Sequence, residues 1–582
     1  MPQNLARCSA HFSRLAPALL LGGLAACTDK QPVEPAEPGT PTTVTLNLFG
    51  VATVPGSAGV RLAAPGRYAV LPQFAATRDF ATGTNRATVA DFAFTIGGSS
   101  GITARLGDEL AGQRPALSVV EAFHLRLREI EREEAPRAIA FMRARREAPT
   151  VNLQVSAQTA ATTRDFRVLS SLTANTYATV TARLLFNGTN ILLYVDAQSP
   201  ATGAFTDSEY ASFGRQFDQD LFPIDVAAFG ATSDIDSNGK TFVLFTPIVN
   251  RLTLNSGACG SYVAGFFNGA DLSGSSNGNR AEIFYSSVPG EPAGGATCTP
   301  LRQDIVRNSA SATFIHELQH MISYNQHVLA RNAATEDVWL NEGLSHMAEE
   351  LGGKLYEARY PCPNLPPCPG PGRGSPSQIF PDSAQGFLPP NFGNAYEYFS
   401  QPRSYSLTSP TGFGTIEERG VAWLFLRWLA DQKGDAKLRE LVQTRNVGTA
   451  NIEAVAGEKF RTLYADFLAA VLLDDFVGAT SGQISSRHQF SSRNLRAIYA
   501  RLNLINASQY PTAYPLAVAN LGSLNQIGPS SAAVARQMKP GSMDLFQYTA
   551  PTANTLLAFG PSSGSFLSTL NAQVTVVRLP GN

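Results

Sequence analysis

The sequence predicts a mixed α/β (α+β) central domain flanked by an N-terminal and a C-terminal β domain. Three observations carry this. Between about residues 160 and 484, strand-like apolar runs alternate with stretches of helical periodicity. Before them, short runs such as Val44-Thr45-Leu46-Asn47-Leu48-Phe49 and Phe92-Ala93-Phe94-Thr95-Ile96 are bounded by Gly, Pro and Ser, as short strands are. After residue 485, acidic residues become sparse and strand-like runs recur, among them Asp544-Leu545-Phe546-Gln547-Tyr548 and Val574-Thr575-Val576-Val577. At 582 residues the chain is too long for one core. A charged fraction of only 16% with 49 Gly and 37 Pro reads as turn-rich and extracytoplasmic. The net charge of -1, with no basic stripe interleaved with aromatics, argues against nucleic acid as a partner.

Taken in order, residues 1–26 read as a signal peptide, with Arg7 and Arg14 ahead of an apolar run from Leu15 to Leu24 that is too short for a mature membrane span. Leu24-Ala25-Ala26-Cys27 resembles the lipobox of bacterial lipoproteins, which implies cleavage before Cys27 and acylation of that residue as a membrane anchor. Thr28, where an Asp is absent, points by the same resemblance to the outer membrane or cell surface. Residues 27–43, rich in Pro, Glu and Thr, read as a stiff tether. Residues 44–110 form the expected small β domain.

Residues 111–159 are a charged connecting helix, or a pro-segment ending near the basic site Arg143-Ala144-Arg145-Arg146; Leu117, Val120, Phe123, Leu127 and Ile130 supply its apolar face, and Pro136 is expected to interrupt it. In the 160–484 domain, Thr179 to Phe186 and Ile191 to Val195 flank Asn187-Gly188, a hairpin signal. A helix is expected over Asp207 to Leu221 and a strand over Thr241 to Phe245. Between them, Asp234, Asp236 and Asn238 stand as in the first half of a calcium loop, but the position where such a loop needs Glu holds Phe245, so an acidic turn and a calcium site both stay open. Of the six cysteines, Cys8 lies in the signal peptide; sequence proximity favours Cys259 with Cys298 and Cys362 with Cys368. Residues 485–582 are the expected C-terminal β domain.

Chemistry concentrates in one place. Three of seven histidines, His316, His320 and His327, fall close together, and His346 follows. His316-Glu317-Leu318-Gln319-His320 lies in Asp304-to-Ala330, a segment without Pro or Gly that should be helical. Residues i and i+4 share a helix face, so both imidazoles can reach one zinc ion while Glu317 flanks its open position. A metzincin-like third ligand is excluded, because Ser323 and Gln326 replace the required Gly and His. His327 lies about 10 Å further along an unbroken helix and is left to the surface or to packing. The next helix, capped at Thr335 with Glu336 and Asp337 in its first turn, places Glu342 mid-helix, where a carboxylate is expensive to bury unless it binds a cation. His316, His320 and Glu342 are therefore the candidate metal ligands, for one Zn2+ per chain, and Glu317 the candidate base.

The paired segments His316-Glu317-Leu318-Gln319-His320-Met321-Ile322 and Trp339-Leu340-Asn341-Glu342-Gly343-Leu344-Ser345 resemble the hyicolysin family of zinc metallopeptidases, within the gluzincin group. The resemblance spans roughly residues 170–480 and implies a gluzincin-type fold, with endopeptidase action on protein or peptide substrates. One departure is plain: many gluzincins carry an acid four places after the third ligand, and here that place is His346. Glu349 or Glu350 could substitute in orienting a zinc-bound histidine. His346 has three readings: a packing or surface residue, a partner of a ligand, or a transition-state donor. Tyr396, Tyr398, Tyr405 and Arg419 are further donor candidates that spacing does not separate. The alternatives are an inactive adhesin or binding lipoprotein on a peptidase scaffold, and a zinc aminopeptidase, for which no Gly-x-Met-Glu-Asn-type anchor is present. A monomer is expected.

Overall fold

Strands gather in three groups, one at each end of the chain and one in its middle, where the helices of the central part follow them. The computed structural model describes residues 40–76, 90–96, 104–106, 117–147, 161–171, 173–253, 259–359, 386–408, 414–516, 519–520, 533–561, 566 and 568–581. Cys8, Cys27, the signal and most of the tether, and the pair Cys362 and Cys368, lie outside them. From the N-terminus the elements are β1 (Thr42–Val44), β2 (Val51–Pro55), β3 (Val60–Leu62), β4 (Gly66–Phe74), β5 (Ala90–Ile96), β6 (Ala104–Leu106) and the long helix α1 (Val119–Glu147). The central part follows with β7 (Thr163–Ser171), β8 (Thr176–Asn187), β9 (Ile191–Asp196), α2 (Asp207–Gln216), α3 (Phe222–Phe229), β10 (Thr241–Phe245), α4 (Pro247–Arg251), β11 (Gly265–Phe267) and β12 (Ile283–Ser286). Then come α5 (Gln303–Tyr324), α6 (Val338–Arg359), α7 (Pro389–Ser400), α8 (Ile416–Lys433), α9 (Ala436–Val442), α10 (Gly448–Ala456), α11 (Phe460–Leu473) and α12 (Leu495–Ile505). The last strands are β13 (Ala519–Asn520), β14 (Ala533–Met538), β15 (Phe546–Ala550), β16 (Thr555–Gly560) and β17 (Ala572–Leu579).

The central sheet has the order β11-β12-β10-β9-β8-β7. β9, β10 and β12 run parallel and are buried along their whole length, because both faces are covered. One face sends Leu193, Val195, Val243, Phe245 and Phe284 into the core shared with the helices. The other sends Leu192, Tyr194, Phe242, Leu244 and Tyr285 against Phe123 and Leu127 of α1. Each such buried side chain contributes about 1.5–3 kcal/mol. The hairpin at Asn187-Gly188 forms as expected, β8 pairing antiparallel with β9. Cys259 is bonded to Cys298, the first of the two expected pairs.

Four expectations need correction. The two flanking β domains are one structure: the sheets β1-β3-β16-β5-β14-β6 and β13-β15-β4-β17-β2 each mix strands from both ends of the chain. Phe74, Val70, Tyr548, Phe559 and Val576 fill the core between them. Pairings between such distant segments leave no local trace in sequence. Secondly, residues 485–516 are not strands; they include α12, whose Leu495, Ile498 and Tyr499 join the helical core. Thirdly, α1 continues through Pro136 to Glu147, since tertiary packing offsets the single lost backbone bond. Fourthly, α6 begins at Val338, and the Asp337 carbonyl accepts the N–H groups of Leu340 and Asn341. Glu336 turns inward instead, accepting from Gly448 N–H at 2.6 Å and Asn451 Nδ2 at 2.7 Å. Among the described residues no helix is long and apolar enough to cross a membrane.

Candidate metal centre

Helices α5 and α6 build the centre. His316 and His320 are one turn apart on the buried face of α5, and Glu342 faces them from α6. Gly343, next to Glu342, lets α8 come close: a Cβ there would stand 3.2 Å from Ala422 Cβ and 3.0 Å from Leu426 Cδ1. Gly420 does the same between α8 and α7, where a Cβ would meet the backbone of Asn394 and Ala395 at 2.4 Å. The close packing brings Arg419, at the start of α8, to 2.9 Å from Glu342 Oε2.

The donor atoms are spaced for one small cation. His316 Nε2 is 3.2 Å from His320 Nε2 and 3.5 Å from Glu342 Oε2, and His320 Nε2 is 3.6 Å from Glu342 Oε1. Ligand atoms on a tetrahedral ion with bonds of about 2.0–2.1 Å lie about 3.3 Å apart. The fit extends to the other ring nitrogens. His316 Nδ1 donates to Glu349 Oε1 at 2.7 Å, which turns Nε2 toward the centre. Ser345 Oγ donates to Gln319 Oε1 at 2.6 Å and lies beside the His320 ring, 3.1 Å from Nδ1 and 3.2 Å from Nε2. Between Glu349 and Glu350, Glu349 is thus the residue that reaches a histidine of the centre. Its Oε2 also holds His346 Nδ1 at 3.0 Å. Glu350 points away, to Arg493 and Trp423.

Electrostatics follow the same division. Burial, aided by Arg128, drives the His320 pKa well below its usual value, so its ring is neutral as a metal ligand must be. For His316 burial also opposes charge, but Glu342 and Glu349 win and raise it to about 10, a proton that a cation would replace. Burial alone would raise Glu342; Arg419 and the two histidines outweigh it and hold the carboxylate well below its ordinary range.

Glu317 is fully buried beside the pair. Its Oε2 accepts Phe267 N–H of β11 at 3.0 Å, and its Oε1 has no hydrogen-bond partner among the described residues. Two side chains of α1 complete its surroundings: Arg128 Nη2 lies 3.6 Å from Oε2, and His124 Nδ1 lies 3.9 Å from Oε1. Arg128 also pairs with Glu131 at 3.1 Å. Burial raises the Glu317 pKa and Arg128 opposes the rise. Sequence reasoning missed this contribution of α1. The signal was present, since His124, Leu127, Arg128 and Glu131 fall at i, i+3, i+4 and i+7 on one helix face, alongside the buried apolar stripe.

The remaining candidates separate cleanly. Tyr396 is committed to Thr512, Tyr398 is buried in the helical core, and Tyr405 is engaged with Glu417, so of the proposed donors Arg419 is the one beside Glu342. His327 is fully buried with Nε2 3.8 Å from Glu336, in the packing role rather than at the surface. The predicted single helix ends at Tyr324 and a π turn over Asn325–Leu329 follows. Asp234 and Asp236 form a separate acidic group with Glu282.

Fold and site together define a class: an α/β protein whose two central helices bring together a His-His-Glu cluster that could hold a metal ion, with a carboxylate alongside. No family model matches the chain. Over 171 residues, 29% of its length, it is 30% identical to the neutral metalloprotease ShpI of Staphylococcus hyicus. The matched stretch spans about a third (36%) of that relative.

Proposed function

We propose that the chain is a zinc-dependent endopeptidase of the hyicolysin type, carried on the cell envelope by a lipid on Cys27. The observation that carries the reading is the spacing of His316, His320 and Glu342 for one tetrahedral ion with Glu317 beside it. Similarity to a neutral metalloprotease supports it. Zinc on these ligands would supply Lewis acidity and a water of lowered pKa. The chain's own residues do the rest. Phe267 N–H fixes Glu317 Oε2, leaving Oε1 to take the proton of the attacking water and pass it to the leaving amine. Glu349 holds His316 with Nε2 turned inward, and the Ser345 hydroxyl packs against the His320 ring. Arg419, after release from Glu342, can donate to developing negative charge on the substrate carbonyl.

Glu317 is buried beneath α1, which supports the pro-segment reading of residues 111–159. Arg145 and Arg146 tie the end of that helix to the carbonyls of Ile235 and Leu329. Metal content and casein hydrolysis, measured together on the purified chain with and without a chelator, test the main reading. One zinc per chain and chelator-sensitive cleavage are expected, and Glu317→Gln should keep the zinc while slowing hydrolysis by about 10²–10⁴-fold. Unchanged rates in that variant would remove Glu317 from the mechanism, and absence of zinc would favour a binding lipoprotein. Limited trypsin treatment should raise the rate; equal rates before and after would sink the cover role of α1 alone.

A further inference from the structure

The loop joining α3 to β10 runs Asp234-Ile235-Asp236-Ser237-Asn238-Gly239 and turns back on itself through two left-handed residues, Ser237 (φ 58°) and Gly239 (φ 70°). Its acidic side chains are held by its own backbone. Asp234 Oδ1 accepts Gly239 N–H at 3.0 Å, and Asp236 Oδ1 accepts Asn238 N–H at 3.3 Å. Asp236 Oδ2 accepts Asn238 Nδ2 at 2.7 Å, and Asn238 Oδ1 accepts Lys240 N–H at 2.5 Å.

A third carboxylate comes from elsewhere in the chain. Glu282 immediately precedes β12, which pairs in parallel with β10 in the register Phe242 to Ile283. The glutamate therefore stands beside the strand into which the loop feeds, and it is only 1% exposed. Its Oε1 accepts Ile235 N–H at 2.9 Å, while its Oε2 has no hydrogen-bond partner among the described residues. Carboxylate oxygens of Asp234, Asp236 and Glu282 lie within 4.8 Å of one another.

The cations that the protein brings near this spot are engaged elsewhere rather than ion-paired with the carboxylates. Lys240 Nζ is turned to Asn187 Oδ1 at 2.7 Å and Gly188 O at 2.6 Å. Arg145 is spent on the Ile235 carbonyl. Arg164 acts on Asp236, but its guanidinium is stacked over the Phe242 ring at 4.2 Å. Among the described residues, none of the three carboxylates forms an ion pair within 4.0 Å. Three converging carboxylates, one of them buried with a bare oxygen, are costly unless a cation enters. An oxygen-only donor set selects a hard ion. Two oxygens on one calcium bonded at 2.3–2.6 Å can lie up to about 5 Å apart, whereas a histidine-free set does not suit zinc.

We propose that Asp234, Asp236, Asn238 and Glu282 form a calcium site that fastens the α3–β10 loop to β12. Glu282 supplies, from a neighbouring strand, the carboxylate that a contiguous calcium loop would carry where this chain has Phe245. The site is chemically distinct from the two-helix centre and does not depend on peptidase activity.

Equilibrium dialysis of the full chain against calcium, with zinc kept saturating, tests the proposal together with thermal melting. One calcium per chain is expected at free concentrations below about 1 mM, with a calcium-dependent rise in Tm. Asp234 is exposed, so Asp234→Asn should fold like the wild type without calcium and bind calcium at least about tenfold more weakly. Glu282→Gln should lose both binding and the rise in Tm while retaining zinc. No calcium uptake at about 1 mM, or uptake unchanged in both variants, would overturn the site.

Discussion

Glu342 and Glu350 sit about two turns apart on α6, and both are buried, yet their surroundings are opposite in kind. Glu350 meets two cations and a neutral donor that the fold has built in: Arg493 Nε donates to Oε1 at 2.9 Å, Arg427 stands 3.8 Å away, and the Trp423 indole Nε1 donates to Oε2 at 3.1 Å. Glu342 meets two imidazole nitrogens at 3.5 and 3.6 Å and a single guanidinium. Burial would raise Glu350, but the arginines hold it down to about 2, a carboxylate permanently neutralised by its own protein. The contrast teaches how to sort buried acids. One whose positive charge is supplied by packed arginines is scaffold, and one aimed at imidazole lone pairs is a place for an exchangeable ion.

Substitutions can break that contrast. The largest effect is expected from Glu342→Gln, which removes a charged ligand: zinc measured by atomic absorption should fall below one per chain and hydrolysis should be lost, while the melting curve stays cooperative. Retained zinc and activity would show that Glu342 belongs with Glu350. Next comes Glu350→Gln. It removes one carboxylate from a network in which Arg427 keeps Asp431 and Asp435 and Arg493 keeps Glu357, and should cost about 1.5–3 kcal/mol by urea unfolding, with zinc retained. Because the folded pKa is depressed below an unfolded value of about 4.3, the stability from this group is present above that pH. It is lost as pH falls toward 2, a contribution of about 3 kcal/mol. The wild type should lose it over that window and the variant should not; parallel pH profiles would contradict the ion-pair account. Glu349→Gln should have the smallest effect, weakening zinc binding by about 10–100-fold in competition with a chromophoric chelator, since it disturbs the orientation of His316 and of His346 without removing a ligand of the centre.

The same helix shows how far sequence could be read. His316, Glu317 and His320 were legible because their relation is one turn of one helix, and Glu342 because a mid-helix acid among apolar neighbours demands a reason. The choice between Glu349 and Glu350 was not legible. Neighbouring residues differ by about 100° around the axis, and only the packing of α8 and α12 decides which faces His316 and which faces Arg493. Arg128 and His124 were hidden for a related reason: a charged helix looks solvated until something is known of what it lies against. In the fold, the Asn187-Gly188 hairpin announced itself locally, whereas the shared sheets did not, because nothing near Val54 says that its partner will be Val574.

That pairing also sets a timetable. Thr53 Oγ1 and Thr575 Oγ1 are hydrogen-bonded at 2.8 Å across 522 residues of chain. At synthesis rates of about 5–20 residues per second, β2 waits roughly half a minute to two minutes for β17 to exist. Through that interval the early strands present open edges, which are the usual seeds of aggregation. The central α/β part, whose contacts are closer in sequence, can consolidate first, so assembly runs from the middle of the chain outward and is sealed by its last strand.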